Sequence, residues 1–189
     1  MKIKTLHINS LILLALLCLF SLTSQAQGER MYRKWVNCKI ILNNGDTIFA
    51  RTKPKGQYIR KIVIKRNNKR ERIKIGHIDF MKINLIKYSR VDVYGQDRML
   101  EEVAYGYYTL YAYDQFKGQR VDRYFFIELD NLSNELVRID PYNYKQICRE
   151  LIDDDEILDK IESDEWGYKQ ITRAFRVYNV RKSREEEEN

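Results

Sequence analysis

From Trp35 to Asp140-Pro141 the chain alternates apolar and polar positions with a period of two, and beyond that point the period becomes helical. In WVNCKIIL, Val36, Cys38, Ile40 and Leu42 fall on one side of an expected strand. ILNNGDTIFA places Asn44-Gly45 between two β-rich runs, and that pair accepts the positive φ of a tight hairpin turn. The returning strand is expected from Thr47 to Arg51, where Lys53-Pro54-Lys55-Gly56 breaks it. YIRKIVIK and RERIKI, joined by the turn-like RNNK, predict a second pair. Ile62 and Ile64 face inward on its first strand, Ile73 and Ile75 on its second, and Arg72 and Lys74 face outward. HIDFMKI, from His77 to Ile83, predicts another short strand, and VDVYGQDR a turn.

The run YGYYTLYAYD follows. As a strand over 103–113 it puts Tyr105, Tyr107, Thr109, Tyr111 and Tyr113 on one face, with Gly106, Tyr108, Leu110 and Ala112 on the other. RYFFIEL predicts a strand with Phe125, Ile127 and Leu129 together, Asp130 to Asn134 a turn, and ELVRI a last strand. Helical spacing then links Tyr144, Ile147, Cys148, Leu151 and Ile152, and again Ile157, Leu158 and Ile161. A third helix, from Glu165 to about Arg181, carries Tyr168, Ile171, Phe175 and Tyr178 on one stripe. The ending SREEEEN reads as a frayed helix end or a disordered tail. The expected fold is α+β: an antiparallel β meander or partly closed barrel of about six to eight strands, followed by three C-terminal helices packed on it. Its parts are a β-rich region over 27–140, a helical region over 141–182 and a charged tail over 183–189.

The N-terminus stands apart from this pattern. Met1 to Lys4 is basic, LILLALLCLF is apolar, and SLTSQAQ puts small residues at Ser24 and Ala26. That is the layout of a secretory signal peptide over 1–26, cut between Ala26 and Gln27. The apolar run is about half of the roughly twenty residues that cross a bilayer, so no transmembrane helix is expected after removal. Export to the periplasm or outer surface changes how cysteine is read. Cys38 and Cys148 remain, both on core-facing positions, in a compartment where disulfides persist. They are either a bonded pair or two separate buried thiols.

Charge is unevenly placed. Loss of Lys2 and Lys4 takes the formal charge from +7 to about +5. From Gly28 to Arg90 there are 18 Lys or Arg against 4 Asp or Glu, whereas the remainder is acidic. One reading is a surface for polyanions, built from Arg60, Lys61, Lys65, Arg66, Lys69, Arg70, Arg72 and Lys74. The other is that the two halves complement each other within the fold, or that lysine keeps a sheet edge soluble. Acidic glycans, lipid headgroups or another envelope protein fit the first reading. Nucleic acid is disfavoured by export and by the lack of any nucleic-acid-binding signature.

Catalytic and metal chemistry has little to draw on. His77 is the only histidine after the leader, and no G-x-S-x-G elbow accompanies it. One histidine and two distant cysteines make no zinc spacing, and Asp153 to Glu156 lacks the layout of a calcium loop. That acidic run reads as a helix N-terminus. Glu101, Glu102, Asp114 and Glu128 are available to a hydrolase, but nothing pairs them. No cofactor motif is present. Tyr105, Tyr107, Tyr111 and Tyr113 suit carbohydrate or peptide recognition, and equally suit cross-strand aromatic packing.

The segments ILNNGDTIFA, HIDFMKI, YTLYAYD, YFFIEL and the series ILDKIES…YKQITRAFRVYN resemble a family of uncharacterised exported proteins of Bacteroidetes, over most of residues 35–179. The resemblance implies export and a β-rich domain with C-terminal helices, without an activity. The expected role is a non-enzymatic binding or scaffolding module of the cell envelope. A polyanion-binding protein and a hydrolase are the alternatives.

Overall fold

The structure, a computed structural model, describes residues 34–54, 58–117, 120–129 and 136–188. The leader through Ala26 and Gln27, the segment 27–33 and the turn expected at Asp130 to Asn134 lie outside the described residues. Ten strands form one antiparallel sheet: β1 (Val36–Leu42), β2 (Thr47–Thr52), β3 (Lys61–Arg66), β4 (Lys69–Lys74), β5 (Ile78–Ile83), β6 (Ile86–Asp92), β7 (Asp97–Ala104), β8 (Thr109–Lys117), β9 (Arg120–Glu128) and β10 (Leu136–Ile139). Three helices follow, α1 (Tyr144–Leu151), α2 (Asp155–Glu162) and α3 (Ile171–Glu188). The α+β class is as expected, with more strands because Ile86 to Ala104 forms the hairpin of β6 and β7 around the expected turn. The tail is helical as far as Glu188 rather than frayed.

The sheet is not a single meander. Its order is β10-β9-β8-β7-β6-β5-β1-β2-β3-β4, so β5 returns to pair with β1 after the first four strands. A flat sheet would hold β4 and β5 four strand spacings apart, about 19 Å at the usual separation. The link between them is one 3-10 turn, Ile75–His77, which rises only about 6 Å. The sheet must therefore roll up over β1 to β5. Tyr58 bridges to Met99 of β7, its carbonyl accepting from the Met99 N–H at 2.9 Å, and so joins the chain before β3 to the other side of the roll. The roll remains open as a hydrogen-bonded structure, with β4 and β10 as the two sheet edges.

One face of the sheet is apolar along its whole width, and it is buried in two ways. In the roll, Cys38, Ile40, Ile62, Ile64, Met81, Ile83 and Met99 pack on each other. Over β7 to β10 the same face carries Leu110, Ala112, Phe125, Ile127 and Ile139, and the helices cover it with Ile147, Ile157, Ile161, Ile171 and Phe175. Each large side chain so buried contributes roughly 1.5–3 kcal/mol.

The helices are seated by polar contacts at their ends. Asp154 caps α2, its carboxylate accepting from the Ile157 N–H at 3.1 Å, as the acidic run predicted. Arg181 of α3 spans Asp154 and Glu156, and Lys182 meets Asp153 at 2.8 Å. Midway along α3, buried Asn179 grips the backbone of one residue, Tyr108, in the turn between β7 and β8. Its Oδ1 accepts from the Tyr108 N–H at 3.0 Å, and its Nδ2 donates to the Tyr108 carbonyl at 2.7 Å. The fit leaves no room beneath: a Cβ on Gly106, where φ is +149°, would lie 2.8 Å from the Asn179 Cβ.

Gly106→Ala is expected to lower stability by about 2 kcal/mol or more, seen as a lower urea midpoint at unchanged slope. Hydrogen bonds from Lys160, then Arg181, hold the Glu156 carboxyl down to about 2 from an ordinary 4.5. Its contribution is thus present above pH 4.5 and is lost as pH falls towards about 2. Amide exchange at the C-terminal half of α3 should accelerate in that window, before the strands of the roll lose protection.

Candidate functional site

The tyrosine run does not form one strand. A bulge follows Glu102 in β7, Tyr105 to Tyr108 make the turn, and β8 begins only at Thr109. Tyr105 and Tyr107 lie in that turn, 73% and 53% exposed. Tyr105 sits under the Lys87 ammonium at 5.6 Å, and Tyr107 meets Tyr108 and Tyr178 edge-on. The helices cover the face with Leu110 and Ala112, so Tyr111 and Tyr113 belong to the opposite, outer face. The expected stripe of four is therefore two separate pairs, split by the turn.

On the outer face Tyr111 is buried between strands and donates its hydroxyl to Glu128 at 3.0 Å. Burial, then the neighbouring Glu128 carboxylate, pushes the phenol upward, so it stays protonated. Tyr113 packs edge-on against Phe126, with the Arg98 guanidinium over its ring. Beside them a cleft of 580 Å³ opens between Tyr94, Tyr111, Phe126, Glu128, Arg90 and Asp97. The carboxylates that a hydrolase would need are partly engaged here, Glu128 by Tyr111 and Asp97 by Arg90 at 3.6 Å.

The basic strands form a more ordered arrangement. Register sets Lys61 opposite Lys74, Lys65 opposite Arg70 and Arg66 opposite Lys69, so three like-charged pairs face each other across one hairpin. Residues directly opposite share a face, and like charges so placed destabilise a sheet by on the order of 0.5 kcal/mol per pair. Two positive-φ residues, Asn67 and Asn68, form the tight turn that imposes this register. Arg60 precedes β3 and is exposed, and Arg72 lies opposite Val63. Among the described residues, Arg66 is the one of these cations with an ion-pair carboxylate, Glu71 at 3.6 Å.

Two cation rows emerge from the pairing of distant segments. Arg51 is opposite Lys65, which is opposite Arg70, a row across β2, β3 and β4. Lys39 is opposite Lys82, which is opposite Lys87, a row across β1, β5 and β6. Phe49 lies opposite Lys39 and two residues from Arg51, on the same outer face, and is 70% exposed. A shallow groove of 440 Å³ runs between Phe49, Arg51, Lys65, Arg66, Asn37 and Asn67.

Lys39, Phe49, Arg51, Lys82 and Lys87 are the residues that sequence reasoning missed. Period-two alternation marks each as facing away from the core, but only strand order makes them neighbours. The turn between β1 and β2 also differs from expectation. Gly45 alone has positive φ, and hydrogen bonds from Leu42 to Asp46 and from Gly45 to Leu42 close a three-residue loop. That loop sets Phe49, rather than Ala50, opposite Lys39.

Among the described residues, few ion pairs link the two halves of the chain: Lys87–Glu102 and Arg90–Asp97 join the basic half to the acidic half. The acidic half instead pairs internally, through Arg149–Glu162, Lys145–Asp164 and the contacts of Arg181 and Lys182.

The cysteines are not brought together. Cys38 lies in the roll and Cys148 under the helices, and both are free, buried thiols. Burial pushes Cys38 up to about 11 and Cys148 up to about 12. His77 is exposed beside a different depression, with Leu42, Asn43, Asn44 and Gly76. No group of three or more potential metal ligands occurs among the described residues. Among them, no helix is long and apolar enough to cross a membrane. No family model, curated protein or solved structure matches the chain.

Both thiols should resist a thiol reagent at pH 8 in the native protein lacking residues 1–26, and both should react once it is denatured. Two equivalents titrated only in denaturant, without reductant, is the expected count.

Proposed function

We propose that the protein is an exported, non-enzymatic binding module of the cell envelope, whose basic outer face takes up polyanions. The exported proteins of Bacteroidetes that the sequence resembles are its proposed family. The observation that carries this reading is the register of like charges. Lys61–Lys74 and Lys65–Arg70 oppose each other directly on the outer face, and Arg51 extends the row of Lys65 and Arg70 onto β2. A sheet kept soluble needs scattered lysines, not cations aligned across three strands at a cost to its own stability.

The chemistry follows from the geometry. Adjacent strands are about 4.8 Å apart, so a row of three cations spans about 10 Å and meets successive anionic groups of a linear polymer or of neighbouring headgroups. Arg51 and Arg70 add planar guanidinium forks suited to sulfate, phosphate or carboxylate. Arg70 and Lys53 lie over the Trp35 ring, at 5.8 and 5.7 Å, and the Arg51 guanidinium donates to the Trp35 carbonyl at 2.8 Å. These contacts hold the cations in place without neutralising them. Binding then needs little ordering of long side chains.

The protein should be retained on immobilised heparin, with affinity falling steeply as salt rises. Each of Lys65→Gln and Arg70→Gln should reduce the logarithmic salt slope by about one. Retention that is absent, or insensitive to salt, would overturn the reading.

A further inference from the structure

We infer that the anionic partner of this face is a lipid surface, into which Phe49 and Leu85 insert while the two cation rows hold the headgroups. The inference rests on the polyanion reading and gives it a definite partner. Its basis is where the exposed apolar residues fall. Phe49 is 70% exposed although it lies in the middle of a strand, and Leu85 is 87% exposed at the tip of the β5–β6 hairpin. Both border the row Lys39–Lys82–Lys87. Phe49 is opposite Lys39 on β1, and Leu85 is two residues from Lys87 and three from Lys82. The hairpin tip is held against the sheet, the Asn84 N–H donating to the Asn37 carbonyl at 3.2 Å, and Asn37 lines the groove beside Phe49.

A soluble glycan would use the cations and leave both apolar groups in water. A headgroup layer uses all of them. Lysine and arginine near an anionic leaflet each add attraction, and aromatic or aliphatic side chains at the same level gain from leaving water. The lysine stems can lie along apolar surface while their ammonium groups reach phosphate. The arrangement is broad and open rather than enclosed, as befits a surface partner. The two cation rows adjoin where β1 pairs with β2, Lys39 and Phe49 being the next outward pair along from Asn37 and Arg51, so one surface resting there meets the ends of both rows.

The experiment is flotation of the protein lacking residues 1–26 with vesicles of equimolar phosphatidylglycerol and phosphatidylcholine, beside pure phosphatidylcholine vesicles and a heparin column. The wild type should float with the anionic vesicles only. Phe49→Ser combined with Leu85→Ser should weaken vesicle binding by about tenfold or more while leaving heparin retention unchanged. Both side chains are exposed, so an unchanged urea midpoint confirms that the variant is folded. Retention on heparin without flotation would overturn the lipid inference and leave a soluble glycan as the partner. Flotation that the double variant does not weaken would overturn insertion. Failure of both heparin retention and flotation would overturn the polyanion reading itself.

Discussion

A sheet that is apolar on one side must keep that side from water across all of its strands, and ten strands are too many for a single covering layer. Here the width is divided. Five strands bury their inner side by rolling over it, forced to do so by a link of three residues between β4 and β5. The other end is too open to roll, and the three helices cover it instead. The two cores are faces of one continuous sheet, so the helices and the roll serve the same need by different geometry.

This division decides what the opposite side can become. Once the inner face holds the apolar residues, every second position faces outward, and at the rolled end those positions are largely free of packing constraints. Leu100, Tyr111 and Phe126, by contrast, form a small buried cluster on the outer side. At the rolled end the outward positions are filled with lysine and arginine, at the helical end with tyrosine, phenylalanine and carboxylates. The rolled end also brings β2 beside β3 and β5 beside β1, which places cations from distant segments in rows. The acidic helices satisfy their own cations at short range.

Much of this architecture was legible in the chain, because alternation with a period of two and the later change to a helical period are direct consequences of side-chain geometry. The inward positions of Cys38, Ile40, Ile62 and Ile64, the capping role of the aspartate run and the α+β class were all readable in that way. What was not readable depended on non-local contacts. The return of β5 to β1 leaves no mark in either strand. The tyrosine run alternates like a strand, yet Gly106 adopts a φ that breaks it, and Asn179, far along the chain, holds the break in place. The cluster 60–74 was visible because it is contiguous in sequence. Lys39, Arg51 and Lys82 joined it only through pairing, and the loop at Gly45 differed from a two-residue turn by enough to change which residue lies beside Lys39.

The grip of Asn179 on the backbone of Tyr108 closes 71 residues of chain, and it is made by the last element. A polypeptide that emerges N-terminus first can begin the roll from its own first half, since β1 to β5 lie together in sequence, and Met99 of β7 fills its core soon after. The inner side of β7 to β10 has no such resource. Leu110, Phe125 and Ile127 stay bare until the helices begin to arrive and are fully covered only with α3, and that interval is when proteases and aggregation compete with folding. The C-terminal segment therefore acts as a clock for the whole molecule. Its arrival, rather than the formation of any strand, marks the moment at which the chain stops being a client of its surroundings and becomes a protein.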